Sequence, residues 1–448
     1  MHGQADQVPS VIFGLDPLWF ATVLFILTYA VVMTERINRA IVALTAAGVM
    51  IVCGVLNQEE ALRGVDFNTL GLLTGMMVIV GVTRQSGVFQ YLAIWSAKRV
   101  NAQPWGILVM LSLVTAVTSA LLDNVTTVLL IVPVALLITE ELRVKAYPYL
   151  FALILSSNIG GTATLIGDPP NIMIGSAVGL TFNDFVYNLA PIIVVVMAAT
   201  LVPIYFIWGR HLKAAPEDRQ RVMAFNEREA ITDARLLKQS LFVITLVMLA
   251  FVLAHPLGLQ PATIAMFGAA ILLLLHNFTH HADRQAQNVH AAFSEVEWVT
   301  IFFFIGLFIV VHGLDTTGLL KLLGEKMVEA TGGDLTATAL VVLWASAILS
   351  AIVDNIPFVA TMIPLIKSMA PTFGGSEQLL PLWWSLALGA CLGGNGSLVG
   401  ASANLVVAGF AERAGQPVRF VPFLLMGFPL MLMSIVICTF YVYFRYLV

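Results

Sequence analysis

Two acid–amide pairs, Asp123-Asn124 and Asp354-Asn355, stand inside two very apolar runs, SALLDNVTTVLLIVPV (Ser119 to Val134) and SAILSAIVDNIPFVATMIPL (Ser346 to Leu365). A carboxylate at bilayer depth costs about 2.5–3.5 kcal/mol on insertion scales, so each needs a task. One task is capping the helix that follows. The other is lining a protein-enclosed cavity, where alone irregular backbone survives at such depth. A third acid, Asp168, lies in GGTATLIGDPPN (Gly160 to Asn171), preceded by Asn158 and accompanied by Thr162, Thr164 and Asn171. A matching stretch, GGNGSLVGASAN (Gly393 to Asn404), carries Asn395, Ser397, Ser402 and Asn404, with Ala401 in the place of Asp168. Amides and hydroxyls suit a neutral polar solute. Carboxylates beside them suit a proton or a sodium ion, which makes Asp123, Asp168 and Asp354 candidates for ion coupling. For Asp168, capping of a half-helix is the competing task.

The elements that must position these groups are helices in a membrane. The 448 residues are 59% hydrophobic and 11% charged, with mean hydropathy +0.91, against roughly 25% charged in soluble domains. Apolar runs long enough to span recur along the chain, which predicts an all-α polytopic membrane protein. The glycines of Gly160-Gly161 and the prolines of Asp168-Pro169-Pro170 break one such run. Unwinding there frees carbonyls and exposes a half-helix N-terminus near Asn171, the kind of site at which inverted-repeat transporters hold substrate.

Other classes find no support in the residues. A net charge of −4 without a basic, aromatic-interleaved cluster gives no ground for a nucleic-acid partner, and none is expected. Cys53, Cys391 and Cys438 have no C-x-x-C spacing, which argues against zinc and disulfides. No nucleophile–base pair, cofactor motif or metal triad is visible, so no enzyme and no cofactor is expected. No G-x-x-x-x-G-K-[ST] occurs, so energy comes from an ion gradient or from a separate subunit. The first apolar run lacks a basic flank and is expected to be a retained span.

The chain is also expected to be a duplication. FNTLGLLTGMMVIVGVTRQSGVF (Phe67 to Phe89) aligns without gaps onto WVTIFFFIGLFIVVHGLDTTGLL (Trp298 to Leu320), 231 positions on. The acid–amide pairs (354 minus 123) and Pro133 and Pro364 share that offset, and the glycine-rich stretches lie 233 apart. We expect a first repeat over 1–209, a cytoplasmic linker over 210–238 and a second repeat over 239–448. Each contains a re-entrant helical hairpin, at 104–138 and 335–370, that turns at its acid–amide pair, followed by a broken span; the first repeat ends in a span from about Phe185 to Trp208. A pair that turns back adds no net crossing, so each repeat makes an odd number of crossings and the two are inverted. With the N-terminus outside, sixteen Lys and Arg fall inside against five outside, as the positive-inside rule requires.

LLDNVTTVLLIVPV, SSNIGGTATLIGDPPNIMIGSA, IVDNIPFVATMIPL and GGNGSLVGASANLVVAG resemble the ion transporter superfamily, in the branch of arsenite-efflux permeases and pink-eyed-dilution P-proteins. The resemblance covers nearly the whole chain. It implies ten transmembrane helices, two re-entrant hairpins and two broken helices, with a transport domain sliding against a scaffold in the inner (plasma) membrane. It implies that Asp123, Asn124, Asp354 and Asn355 are hairpin tips. The partners it implies are arsenite or antimonite, protons or sodium and the lipid bilayer, with an ATPase subunit and a homodimer as further possibilities. The dicarboxylate branch carries Ser-Asn-Thr signatures; here Ser157-Asn158 lacks the threonine. Acidic tips would repel a carboxylate unless a bound cation intervened, so the order of expectation is metalloid export, then sodium/proton antiport, then di- or tricarboxylate transport.

Overall fold

The computed structural model describes residues 11–34, 36–278 and 280–448, and every regular element among them is a helix. The first repeat opens with α1 (Pro17–Met33), α2 (Arg39–Val52), short α3 (Gln58–Arg63), α4 (Phe67–Arg84) and α5 (Val88–Arg99). A hairpin of α6 (Pro104–Leu121) and α7 (Asn124–Glu141) follows, then the broken helix α8 (Tyr147–Gly161) and α9 (Pro169–Val178), then α10 (Phe182–Asn188) and α11 (Ala190–Ile204). α12 (Pro216–Met223) lies in the linker. The second repeat holds α13 (Ala234–Val252), α14 (Ala254–Leu257), α15 (Pro261–Asn277), α16 (Ala282–Ser294), α17 (Trp298–Thr316) and α18 (Leu319–Ala330). Its hairpin is α19 (Leu335–Ile352) and α20 (Asn355–Ser368), its broken helix α21 (Leu380–Gly393) and α22 (Ser402–Arg413), and α23 (Phe420–Val442) closes it. Eight helices among the described residues are long and apolar enough to cross a bilayer; α1, α2 and α15 are shorter apolar helices.

Local chemistry sets these boundaries, and it recurs in both halves. Asp66 caps α4 by accepting from the backbone of Asn68 and Thr69. Gly87 and Gly318, at φ +81° and +83°, turn the chain into α5 and α18 at corresponding positions. α15 lies on α4 and α2 on α17 at backbone-contact distance. A Cβ on Gly75 would come 2.6 Å from the Ala265 carbonyl carbon, and one on Gly306 2.5 Å from that of Ala43. The corresponding helices α4 and α17 run antiparallel: Arg84 at the end of α4 pairs with Glu295 before α17 (3.0 Å), while Gly64 before α4 abuts His312 near the end of α17. This antiparallel pairing is the inversion of the two repeats.

Two boundaries differ from expectation. The span expected over Phe185 to Trp208 divides at Leu189 into α10 and α11, because Pro191 needs no backbone donor in the first turn of a new helix. Arg235 and Lys238, expected in the linker, occupy the first turns of α13, which Asp233 caps.

Candidate functional site

The hairpin tips are two-residue turns. Asp123 Oδ1 accepts from Thr126 N (2.7 Å) and Asp354 Oδ1 from Ile356 N (3.1 Å), so both acids do cap the returning helix. Equivalent side chains hold each hairpin to its broken helix. Ser119 Oγ donates to Ser157 O and Ser350 Oγ to Ala390 O, both at 2.6 Å. Thr164 Oγ1 donates to Ala120 O and Ser397 Oγ to Ala351 O, both at 2.5 Å. A Cβ on Gly160 would overlap the Ala116 carbonyl, and one on Gly393 that of Ala347, so α6 lies directly on α8 and α19 on α21. These contacts bring each tip level with the break beside it.

The breaks differ from what unwinding alone predicts. The freed carbonyls are not left for a solute: Asn171 Nδ2 donates to Thr162 O (3.1 Å) and Thr164 O (2.9 Å), and Asn404 Nδ2 to Gly394 O (2.7 Å) and Ser397 O (2.8 Å). Thr162 Oγ1 donates to Asn158 O within its own helix. The Nδ2 groups of Asn171 and Asn404 therefore satisfy the irregular backbone, while Thr162, Thr164 and Ser397 spend their hydroxyls on helical carbonyls.

Between the two breaks lies a polar centre shared by both repeats. Asn158 Nδ2 donates to Asn395 Oδ1 (3.0 Å) and Asn404 Oδ1 (2.9 Å), while its Oδ1 accepts from Asn124 Nδ2 (3.1 Å). Asn355 Nδ2 donates to Asp168 Oδ1 (3.3 Å), and Cys391 Sγ lies 3.5 Å from Asn171 Oδ1. All of these side chains are buried. Asp168 occupies the N-cap position of α9 but makes no cap hydrogen bond; its carboxylate turns to the opposite repeat's hairpin tip. The corresponding Ala401 offers Asn124 nothing, so Asn124 turns to Asn158, and its Oδ1 has no hydrogen-bond partner among the described residues.

On one side of this centre a cavity of about 330 Å³ separates the tips from α2 and α17. Val125, Val353, Asp354 and Ser402 line it from the hairpins and the second broken helix, and Arg39, Glu297 and Phe303 from α2 and the start of α17. Arg39 Nη1 donates to Asp354 Oδ2 (2.9 Å) and Ser402 Oγ (2.7 Å), and Nη2 to Thr300 Oγ1 (3.1 Å). Ser402 Oγ donates to the same Asp354 oxygen (2.9 Å), and Thr300 Oγ1 to Glu297 Oε2 (3.1 Å). Among the described residues no Lys, Arg or His lies within 4 Å of the Asp123 or Asp168 carboxylates. A second cavity of about 280 Å³, lined by Asp66, His312, Asp315 and Lys367, lies at the far ends of α17 and α20.

Motif spacing does not single out Arg39 or Glu297. Arg39 reads in the sequence as a flanking charge. Glu297 had a signal: it stands 231 positions after Asp66, the acid before the corresponding span.

Paired helical hairpins facing paired broken helices around a buried polar centre define a polytopic secondary transporter. Residues 29–389 match the family described as citrate transporter (CitMHS), and the chain belongs to that family, within the ion transporter superfamily. An uncharacterized transporter of Mycobacterium tuberculosis (strain ATCC 25618 / H37Rv) is 43% identical over 433 residues, covering 96% of this chain and 98% of that one. The 46 kDa membrane protein of Mycobacterium leprae is 42% identical over 433 residues, covering 96% and 99%. The P protein of Sus scrofa is 32% identical over 498 residues, covering 92% of this chain and 58% of the longer P protein. In fold, the chain is similar to the crystal structure of the Alcanivorax borkumensis YdaH transporter, whose topology is described as unusual, at TM-score 0.57 and 14% identity over 96% and 98% of the two chains.

Proposed function

We propose that this transporter exports arsenite or antimonite, driven by a proton gradient, with the solute held between the two hairpin tips and the polar centre. The observation that carries the reading is the lining. Its polar groups, set among a mostly apolar wall and at the buried centre beside it, are amides, hydroxyls and carboxylates, with one cation, Arg39, already paired, and a buried acceptor, Asn124 Oδ1, without a partner among the described residues. Arsenous acid is neutral at pH 7 and presents hydroxyl donors to such acceptors. Asp123, Asp168 and Asp354 serve the coupling ion. The hairpins and broken helices move as a unit against α2, α4, α15 and α17, an elevator motion supported by the cavities at opposite ends of α17 and α20. The charge distribution supports an inner-membrane placement with the linker cytoplasmic.

The family description favours a second reading, citrate. A trianion facing acidic tips needs a cation bound with it, so this reading requires the solute to travel as a metal complex. The third reading is sodium/proton antiport without a solute. Proteoliposomes separate the three. Arsenite- or antimonite-dependent proton flux that sodium leaves unchanged supports the first. Citrate uptake that appears only with a divalent cation supports the second. Sodium-driven alkalinisation with neither solute supports the third and removes the first.

A further inference from the structure

We infer that Arg39 is a tethered counter-ion, its guanidinium filling on Asp354 the place that the coupling cation takes during transport. The inference rests on the ion-coupled reading above and adds the residue that competes with the ion. Arg39 belongs to α2, which lies on α17; Asp354 and Ser402 belong to the hairpin and the broken helix on the far side of the cavity. One guanidinium therefore ties oxygens of Asp354, Ser402 and Thr300 together, and Glu297 through Thr300. The Phe303 ring, 5.1 Å from the guanidinium carbon, supports it from α17. Carboxylate and hydroxyl oxygens are also the donors that a hard cation requires.

The charges around Asp354 leave the contest to these two cations. Glu297 faces it across the cavity from the start of α17, and Asp168 and Asp123 lie deeper. Tyr29 of α1 approaches from the side, but its hydroxyl is committed to Pro357 O at 2.5 Å. Among the described residues no cation other than Arg39 reaches the Asp354 carboxylate within 4 Å. A sodium ion or a proton on Asp354 thus frees the guanidinium, and the tip of the hairpin lets go of α2 as the ion arrives.

An independent asymmetry points the same way. The helix corresponding to α2 is α15, because Gly75 meets Ala265 as Gly306 meets Ala43. α15 opens on Gln260-Pro261 without a basic residue, and among the described residues Asp123 has no counter-ion within 4 Å. The hold therefore acts on one hairpin.

Thermal unfolding of the purified full-length protein, in sodium chloride against choline chloride and at pH 8 against pH 6, tests this. In Arg39→Gln the vacated carboxylate is expected to bind the ion more tightly than in the wild type. Sodium, or acid if the ion is a proton, then raises the unfolding temperature by several degrees more than in the wild type. Adding Asp354→Asn is expected to cancel that gain. A response of Arg39→Gln equal to that of the wild type in both comparisons overturns the inference. A second measurement leaves Arg39 in place: thiol labelling of Leu405→Cys on the cavity wall, in a Cys53→Ser background and divided by the rate of a free thiol at the same pH, is expected to change several-fold with sodium or acid. A rate indifferent to both overturns it as well. Neither readout needs a transported solute, so its failure is separable from failure of the transport reading.

Discussion

Asn158 bridges the two halves at the polar centre. Its amide donates to both Asn395 and Asn404 of the other repeat and accepts from Asn124. Asn158→Ala orphans three buried amides at about 1–3 kcal/mol each, so a loss of about 3 kcal/mol or more is expected in denaturant or thermal unfolding. Asp168 is different in kind. It stands at a cap position without capping, and its duplicate is Ala401. Asp168→Asn keeps shape and hydrogen-bonding capacity but removes the charge. In proteoliposomes it is expected to abolish accumulation against a gradient while solute exchange at equal concentrations survives. Unimpaired accumulation would remove Asp168 from coupling.

At the scale of elements, the site depends on how closely each hairpin lies on its broken helix. Gly160 and Gly393 permit that approach because no side chain stands between helix and carbonyl. Gly160→Ala pushes a methyl into the Ala116 carbonyl; an overpacking cost of about 1–3 kcal/mol or more is expected, with a lower unfolding temperature and weakened transport. Gly409 in α22 has open space around its Cβ position. Gly409→Ala is expected to leave transport intact and to stabilise α22 by about 0.5–1 kcal/mol. The contrast separates crowding at the break from loss of a helical glycine as such.

At the scale of the molecule, the linker is clamped to the first repeat. Lys98 Nζ meets Glu227 Oε2 at 2.5 Å, and Arg221, held by Asp218 within the linker (2.5 Å), meets Glu141 (3.3 Å). The hydrogen bond from Lys98 holds the Glu227 carboxyl below the usual glutamate range. A depressed carboxylate contributes fully above its unfolded value, about 4.3, and that contribution is lost as pH falls through the lower folded value. Amide-exchange protection over residues 224–231, corrected for intrinsic rates, is therefore expected to fall on acidification below about pH 4, and Glu227→Gln to show the unprotected pattern already at pH 7. The inverted arrangement predicts sidedness too. Cysteines placed at Glu217 in the linker and at Gly332 after α18 should react with impermeant reagents from opposite faces of sealed vesicles; reaction from one face would refute the orientation.

Hydropathy, repeat offset and turn chemistry by themselves determined a great deal. The hairpins, their turning points at Asp123 and Asp354, and the breaks at Gly160-Gly161 and Gly393-Gly394 follow from local signals: apolar length, acid–amide pairs, glycine and proline. The odd number of crossings per repeat added the inversion, and the Lys and Arg count agreed with it. Boundaries set by a neighbour were less legible, as at Leu189, where one expected span became α10 and α11. What only the tertiary structure decided is which side chain each polar group spends itself on. Asn171 and Asn404 close their own breaks, Asn158 bridges the repeats, and Asp168 turns to the opposite hairpin. Arg39 left the role of a flanking charge only because α2 sets it opposite Asp354, a residue 315 positions away in the chain. Periodicity and spacing carry local preference; a hydrogen bond between distant segments depends on the three-dimensional register of packed helices, which no short stretch of sequence encodes.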